Sequence, residues 1–279
     1  MVDLSLFPPS ATVEGEDLRI GGCSLMELAD QFGTPAFVID EAGLRARARE
    51  YVRAFTSRHP DTRVCFAVKA YPSASMVRLL VSEGLGCDVV GGGELRIALA
   101  AGADPASIVM HGNAKTDEDI QSAIDARIGY IVVDNEDDVD RIEKLASQPT
   151  PVLLRISPGI ESATHAAMAT GGITSKFGVP IDQASKIISR MRAVPTIELR
   201  GLHAHIGSQI LNLEQFEAAM LAFACDQFRL LLEFKRGGAS RERAAGVADG
   251  PHRHCSDPCS PCLFAFHVSV VIHPLASLW

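Results

Sequence analysis

Lys69 closes a short apolar run in CFAVKAYP (residues 65–72). A lysine at the end of a buried strand keeps its stem among apolar side chains. Desolvation disfavours the ammonium, lowers the pKa and leaves a nucleophilic amine able to condense with an aldehyde. The plainer alternative is an amine that snorkels to solvent beyond its stem. A second candidate is GLHAHIGSQ (residues 201–209), where His203 and His205 alternate along a strand and so face one side. An imidazole face can stack on an aromatic ring, and Gly207-Ser208 can offer N–H groups and a hydroxyl to a phosphate. The same two histidines could ligate a metal, or be polar residues of an ordinary strand and turn. A third candidate is Cys255, Cys259 and Cys262, with His252, His254 and His267 nearby, which suggests an iron–sulfur or zinc site. In radical S-adenosylmethionine enzymes that cysteine spacing precedes a barrel. Here only 17 residues follow it, so no metal is expected.

These residues must be held by something regular. Apolar, β-branched runs occur at Val64–Val68, Cys87–Val90, Ile108–Met110, Tyr130–Val133, Val152–Ile156 and Ile197–His203. The first five recur roughly every 22 residues, room for a strand, a helix and two short loops. Helical spacing lies between them: Ser75–Val81 carries Met76, Leu79 and Leu80. Thr116 and Asp119 form a capping box ahead of Ile120 and Ile124, and Asn212 and Gln215 open a further helix in the same way. Six consecutive strand–helix units predict a parallel α/β sheet, either an open doubly wound sheet or a barrel. Lys69, Asp88, His111, Asp134, Arg155 and His205 each stand at or just past a strand's C-terminal end. Polar residues at so many successive ends would converge in a barrel and spread along an edge in an open sheet. The expectation is therefore an incomplete (β/α)8 TIM-type barrel.

The bulk properties exclude some partners. The chain has 279 residues, 47% of them hydrophobic, and a net charge of -8 with no basic block, which argues against nucleic acid and anionic membranes. No secretory leader is expected, and the longest uncharged run, Leu263–Trp279, is interrupted by Pro274 and polar residues, so no membrane span is expected. Scattered cysteines suggest thiols in a cytoplasmic setting. After Cys225 the rhythm stops: residues 226–279 hold six Lys/Arg against five Asp/Glu and four of the nine histidines. The run LFAFHVSVVIH (residues 263–273) could form a strand, but nothing in the sequence names a partner for it.

The blocks FAVKAYP, GCDVVGGGEL, MHGNAKTDEDI, GYIVVDN, LLRISPG, SKFGV and GLHAHIGSQ, within residues 17–224, carry a resemblance. In order and spacing they resemble the N-terminal barrel of the ornithine/diaminopimelate/arginine decarboxylases, which are alanine-racemase-like pyridoxal-phosphate enzymes. HGNAK and HAHIGSQ are most similar to the diaminopimelate branch, and HAHIGSQ argues against a racemase of the same barrel class.

The resemblance implies an alanine-racemase-like barrel over residues 45–225. It also implies an N-terminal segment, 1–44, that lends a strand to a C-terminal β domain, and a tail, 226–279, unlike the family. Lys69 would hold pyridoxal 5'-phosphate through its amine, His205 would stack on the pyridine ring, and Ser208 would help hold the phosphate. Arg155 and Asp88 would line the cofactor site, with Glu94 and His111 at nearby motif positions. The implied reaction is decarboxylation of a small amino acid, meso-2,6-diaminopimelate to L-lysine. Ornithine- or arginine-type decarboxylation and a non-catalytic remnant are the alternatives. The family works as a homodimer. Past Cys225 its glycine-rich phosphate segment, its Glu-Pro-Gly-Arg segment and most of its β domain are not found. The expectation is a truncated or frame-shifted chain with weak cofactor binding and little turnover.

Overall fold

The computed structural model describes residues 3–157, 177–205 and 270–272. The helix expected from Asn212 and the cysteine cluster at 255–262 lie outside them. The chain divides into two compact units: Met1–Met110 with Ala126–Gly129 and Val268–Trp279, and His111–Asp125 with Tyr130–His267.

The first unit opens with an antiparallel sheet of β1 (Thr12–Glu14), β2 (Asp17–Ile20) and β3 (Cys23–Ser24). Gly21 and Gly22 join β2 to β3 at φ 59° and 82°. A two-residue hairpin loop with both central residues at positive φ matches the twist of its strands and favours glycine. Ser24 then caps α1 (Leu25–Phe32), accepting from the Glu27 amide at 3.2 Å.

After α2 (Glu41–Thr56) the parallel rhythm begins: β4 (Val64–Ala67), α3 (Ala74–Ser82), β5 (Gly86–Val89), α4 (Gly92–Ala100) and β6 (Ile108–Met110). Every residue of β4, β5 and β6 is buried. Continuous rather than alternating burial marks parallel strands covered on both faces. β4 pairs β5 and β5 pairs β6, all parallel. The Glu83 carboxylate, just past α3, joins α3 to α2 by accepting from Arg45 and Arg49, each at 2.6 Å.

The final apolar run does find a partner. β11 (Val270–Ile272) pairs β4 in parallel, Val270 opposite Val64 and Ile272 opposite Phe66. A strand pairing carried by a segment two hundred residues away in sequence has no local signature, so only the strand itself was readable.

The second unit holds α5 (Asp117–Asp125), β7 (Tyr130–Val133), α6 (Glu136–Leu145), β8 (Thr150–Ser157), β9 (Val179–Pro180), α7 (Ile181–Ala193) and β10 (Ile197–His203). The capping box is formed: the Thr116 amide donates to Asp119 Oδ2 at 2.9 Å, and the Asp119 amide to Thr116 Oγ1 at 3.1 Å. Asn135 caps α6, and Glu136, Asp137 and Asp138 fill its first turn, where acidic groups suit the helix dipole. Ala184, Ile187, Ile188 and Met191 form the buried stripe of α7. β8 pairs in parallel with β7, β9 and β10. A register shift between Leu199 and Gly201 resets β10, so that His203 lies opposite Arg155 and is buried.

Candidate active site

In the first unit Lys69 sits one turn past β4, within a short 3-10 turn Val68–Ala70. Val68 takes the fully buried position and Lys69 is exposed. The expected desolvation of this lysine is therefore not what the structure shows. The turn ends the strand before the lysine, so its amine meets solvent. Asp88, on β5, is 3% exposed. Glu94, in the first turn of α4, accepts from the Val90 amide at 3.0 Å. Burial, offset in part by that hydrogen bond, pushes its carboxyl upward. The Asp88 charge adds to the rise and the Lys69 charge opposes it. Burial also raises the thiols of Cys65 and Cys87 to about 12, which leaves them inert.

In the second unit two blocks distant in sequence meet. The His111 ring lies 4.2 Å from that of His203 and 5.9 Å from that of His205, centroid to centroid. Both histidines of HAH thus contact one imidazole, although β10 ends at His203 and His205 lies past the strand on which both were expected. His203 is 4% exposed, and its Nδ1 has no hydrogen-bond partner among the described residues. Burial foremost, then charge on His111, Arg155, His205 and Lys115, holds it well below the usual histidine range. It is a neutral imidazole.

Beside it Arg155 on β8 donates to Asp134 Oδ1 at 2.8 Å, and both side chains are buried. The guanidinium also lies over the Phe177 ring, 5.2 Å from its centroid. Phe177 is held there because its carbonyl accepts from Ser157 Oγ at 2.5 Å. Gly178 follows at φ 73°, where a Cβ would come within 3.0 Å of Arg155 Cγ. Only glycine suits both the conformation and the space. Ser208 falls outside the described residues.

Sequence reasoning assigned no role to Lys115, Asp138, Phe177 or Gly178. Lys115 is fully buried, 2.7 Å from Asp138 Oδ2. Asp138 lies in the first turn of α6, and Lys115 lies ahead of α5. Their contact is tertiary, and no spacing signals it. Among the described residues no group of three or more His, Cys, Asp and Glu could hold a metal ion. No described helix is long and apolar enough to cross a membrane.

Residues 42–231 match the family described as pyridoxal-dependent decarboxylase, pyridoxal binding domain. The chain belongs to that family. Its α/β barrel domain is the fold class, and pyridoxal phosphate is the cofactor of the domain. The chain is 39% identical over 220 residues to the diaminopimelate decarboxylase of Actinosynnema pretiosum subsp. auranticum, an alignment that covers 78% of this chain and 49% of that protein. It is 42% identical over 207 residues to the diaminopimelate decarboxylase of Bacillus subtilis (strain 168), covering 72% and 47%. A crystal structure of diaminopimelate decarboxylase from M. jannaschii in co-complex with L-lysine superposes with a TM-score of 0.74 at 30% identity, covering 83% of this chain and 54% of that one. The chain thus spans about half the length of the curated relatives it matches.

Each unit holds groups chemically suited to the cofactor: an exposed lysine, Lys69, and a buried carboxylate on Asp88 in the first, a guanidinium on Arg155 and a half-buried imidazole on His205 in the second.

Proposed function

We propose that this chain serves the pyridoxal-phosphate-dependent decarboxylation of meso-2,6-diaminopimelate to L-lysine. The observation that carries the choice of substrate is the meeting of His111 with His203 and His205. These histidines come from HGNAK and HAHIGSQ, the two blocks most similar to the diaminopimelate branch, and the curated relatives cited carry that activity in their names.

Lys69 would hold the cofactor through its amine, and its exposure leaves that amine open to an aldehyde. His205 would lie against the cofactor ring, with Arg155 and Asp88 lining the site and Ser208 on the phosphate. When bound, the cofactor supplies an electron sink for the pair released as the α-carboxylate departs as CO2. The residues of the chain orient and seal. Asp134 fixes the Arg155 guanidinium in one direction, and Phe177 covers its face against water. The neutral His203 packs His111 without adding a second buried cation beside Arg155.

The test begins with the whole chain and pyridoxal phosphate. Borohydride reduction followed by peptide mapping should place the pyridoxyl adduct on Lys69. Lys69→Ala should remove both the adduct and the visible absorbance band. An adduct on another lysine, with Lys69 unmodified, would sink the cofactor assignment. Mass-spectrometric release of lysine from meso-diaminopimelate, but not of putrescine or agmatine from ornithine or arginine, tests the substrate.

A further inference from the structure

A buried cation that the proposed chemistry does not use lies behind the arginine that it does. Lys115 ends HGNAK, and its side chain is 0% exposed. Its ammonium donates to the Gly112 carbonyl at 2.6 Å and lies 2.7 Å from Asp138 Oδ2. That same carboxylate oxygen accepts from the Asp134 backbone amide at 2.9 Å. The Asp134 carboxylate in turn holds Arg155 at 2.8 Å. One turn along α6 from Asp138, Arg141 donates to the Lys115 carbonyl, so α6 grips both the side chain and the backbone of this lysine. The run is continuous: ammonium, carboxylate, backbone amide, carboxylate, guanidinium. Every charged side chain in it is at most 6% exposed.

We propose that Lys115 is a positioning residue: through Asp138 it fixes the backbone of Asp134, whose carboxylate aims the Arg155 guanidinium. Burying an ammonium is costly unless it is well paired, and so is burying the carboxylate opposite. A buried ion pair is therefore weak evidence for stability alone, and Met and Leu of similar volume would fill the space as well. The apolar pair would not supply an acceptor for the Asp134 amide. The inference rests on the reading of Arg155 as a residue of the cofactor site.

Three variants of the full chain separate the roles. K115M leaves the Asp138 carboxylate buried and uncompensated. Its melting temperature should fall, and the Asp134 amide should exchange with deuterium at least about tenfold faster. Its dissociation constant for pyridoxal phosphate should rise by roughly ten- to hundredfold, the range for residues that orient a ligand's direct contacts. K115M/D138N removes both charges but keeps a carbonyl for the Asp134 amide, and should return exchange and affinity to within about threefold of wild type. K115M/D138L also removes both charges, and should recover melting temperature while exchange stays fast and affinity stays weak. If K115M does not fold, the two charge-balanced variants carry the comparison between them.

Recovery of affinity in K115M/D138L alongside stability overturns the proposal, because Lys115 would then serve the fold alone. Unchanged Asp134 exchange in K115M overturns it as well. A wild-type chain that binds no pyridoxal phosphate, while exchange follows the three variants as expected, instead overturns the cofactor reading and leaves the Lys115-to-Asp134 link standing.

Discussion

His203 should make the stability of this chain fall as the medium turns acid, by an amount the structure bounds. Its imidazole is buried, its Nδ1 has no partner among the described residues, and its pKa lies well below the usual 6.5. Burial is the main cause, followed by charge on His111, Arg155, His205 and Lys115. The unfolded chain takes up a proton near the usual value and the folded chain does not. Below that value the unfolded state binds more protons, so stability drops as pH falls. The lost free energy is RT ln(1 + 10^(6.5 − pH)) while the folded imidazole stays neutral. That is under about 0.1 kcal/mol at pH 7.5 and about 1.4 kcal/mol at pH 5.5. The assay is urea unfolding of wild type and H203Q at both pH values. Titrating groups remote from His203 act equally in both chains, so the stability difference between them isolates His203 together with the histidines coupled to it. H203Q starts from a lower baseline, because it loses the packing on His111. Between the two pH values, wild type should lose more than H203Q, by up to about 1.4 kcal/mol. Parallel losses would refute the neutral buried imidazole.

The ion pairs between α2 and α3 predict a different limb of the pH profile. Hydrogen bonds from Arg49 and then Arg45 hold the Glu83 carboxyl down to about 2. Its stabilisation is present above the usual value near 4.5 and is lost as pH falls toward 2, so thermal melting of E83Q should show a flatter acid limb, and identical limbs would count against the pairing. Gly178→Ala combines positive φ with a Cβ crowding Arg155, and should cost about 2–4 kcal/mol in urea unfolding, with less than about 1 kcal/mol arguing against the close approach. Val271→Pro should speed exchange of the β4 amides that face β11 by breaking the pairing of β11 with β4, and unchanged exchange would show that β4 holds without it.

The parts of the fold readable in the sequence are those whose causes are local. All six expected strands exist, their ends within two residues of the apolar runs; five are buried along nearly their whole length, as parallel strands covered on both faces must be, while β10 exposes Arg200. The Thr116–Asp119 box was visible because both partners lie within one turn. Lys69 was placed correctly at a strand end, but its exposure depends on a single 3-10 turn, and apolar spacing does not resolve that. The contact of His111 with His203 joins residues ninety positions apart, and only the resemblance hinted that their blocks belong together. The antiparallel hairpin of β2 and β3 has only the Gly21-Gly22 pair as its local signature, and that pair lies outside the parallel rhythm.

Charge balance explains why the second unit can bury so many polar groups. Lys115 and Arg155 bring two positive charges, and Asp134 and Asp138 bring two negative. The set is neutral only while His203 carries no proton. A protonated His203 would set a third cation opposite Arg155 on the neighbouring strand, with no acceptor at its Nδ1. The low histidine pKa and the paired carboxylates are thus one condition seen from two sides. Removing Lys115 charge therefore also bears on His203. With one cation fewer nearby, the imidazole should protonate more readily, and the acid loss of stability in K115M should begin to level off at higher pH than in wild type. An unmoved acid limb would mean that the lysine and the histidine do not sense each other.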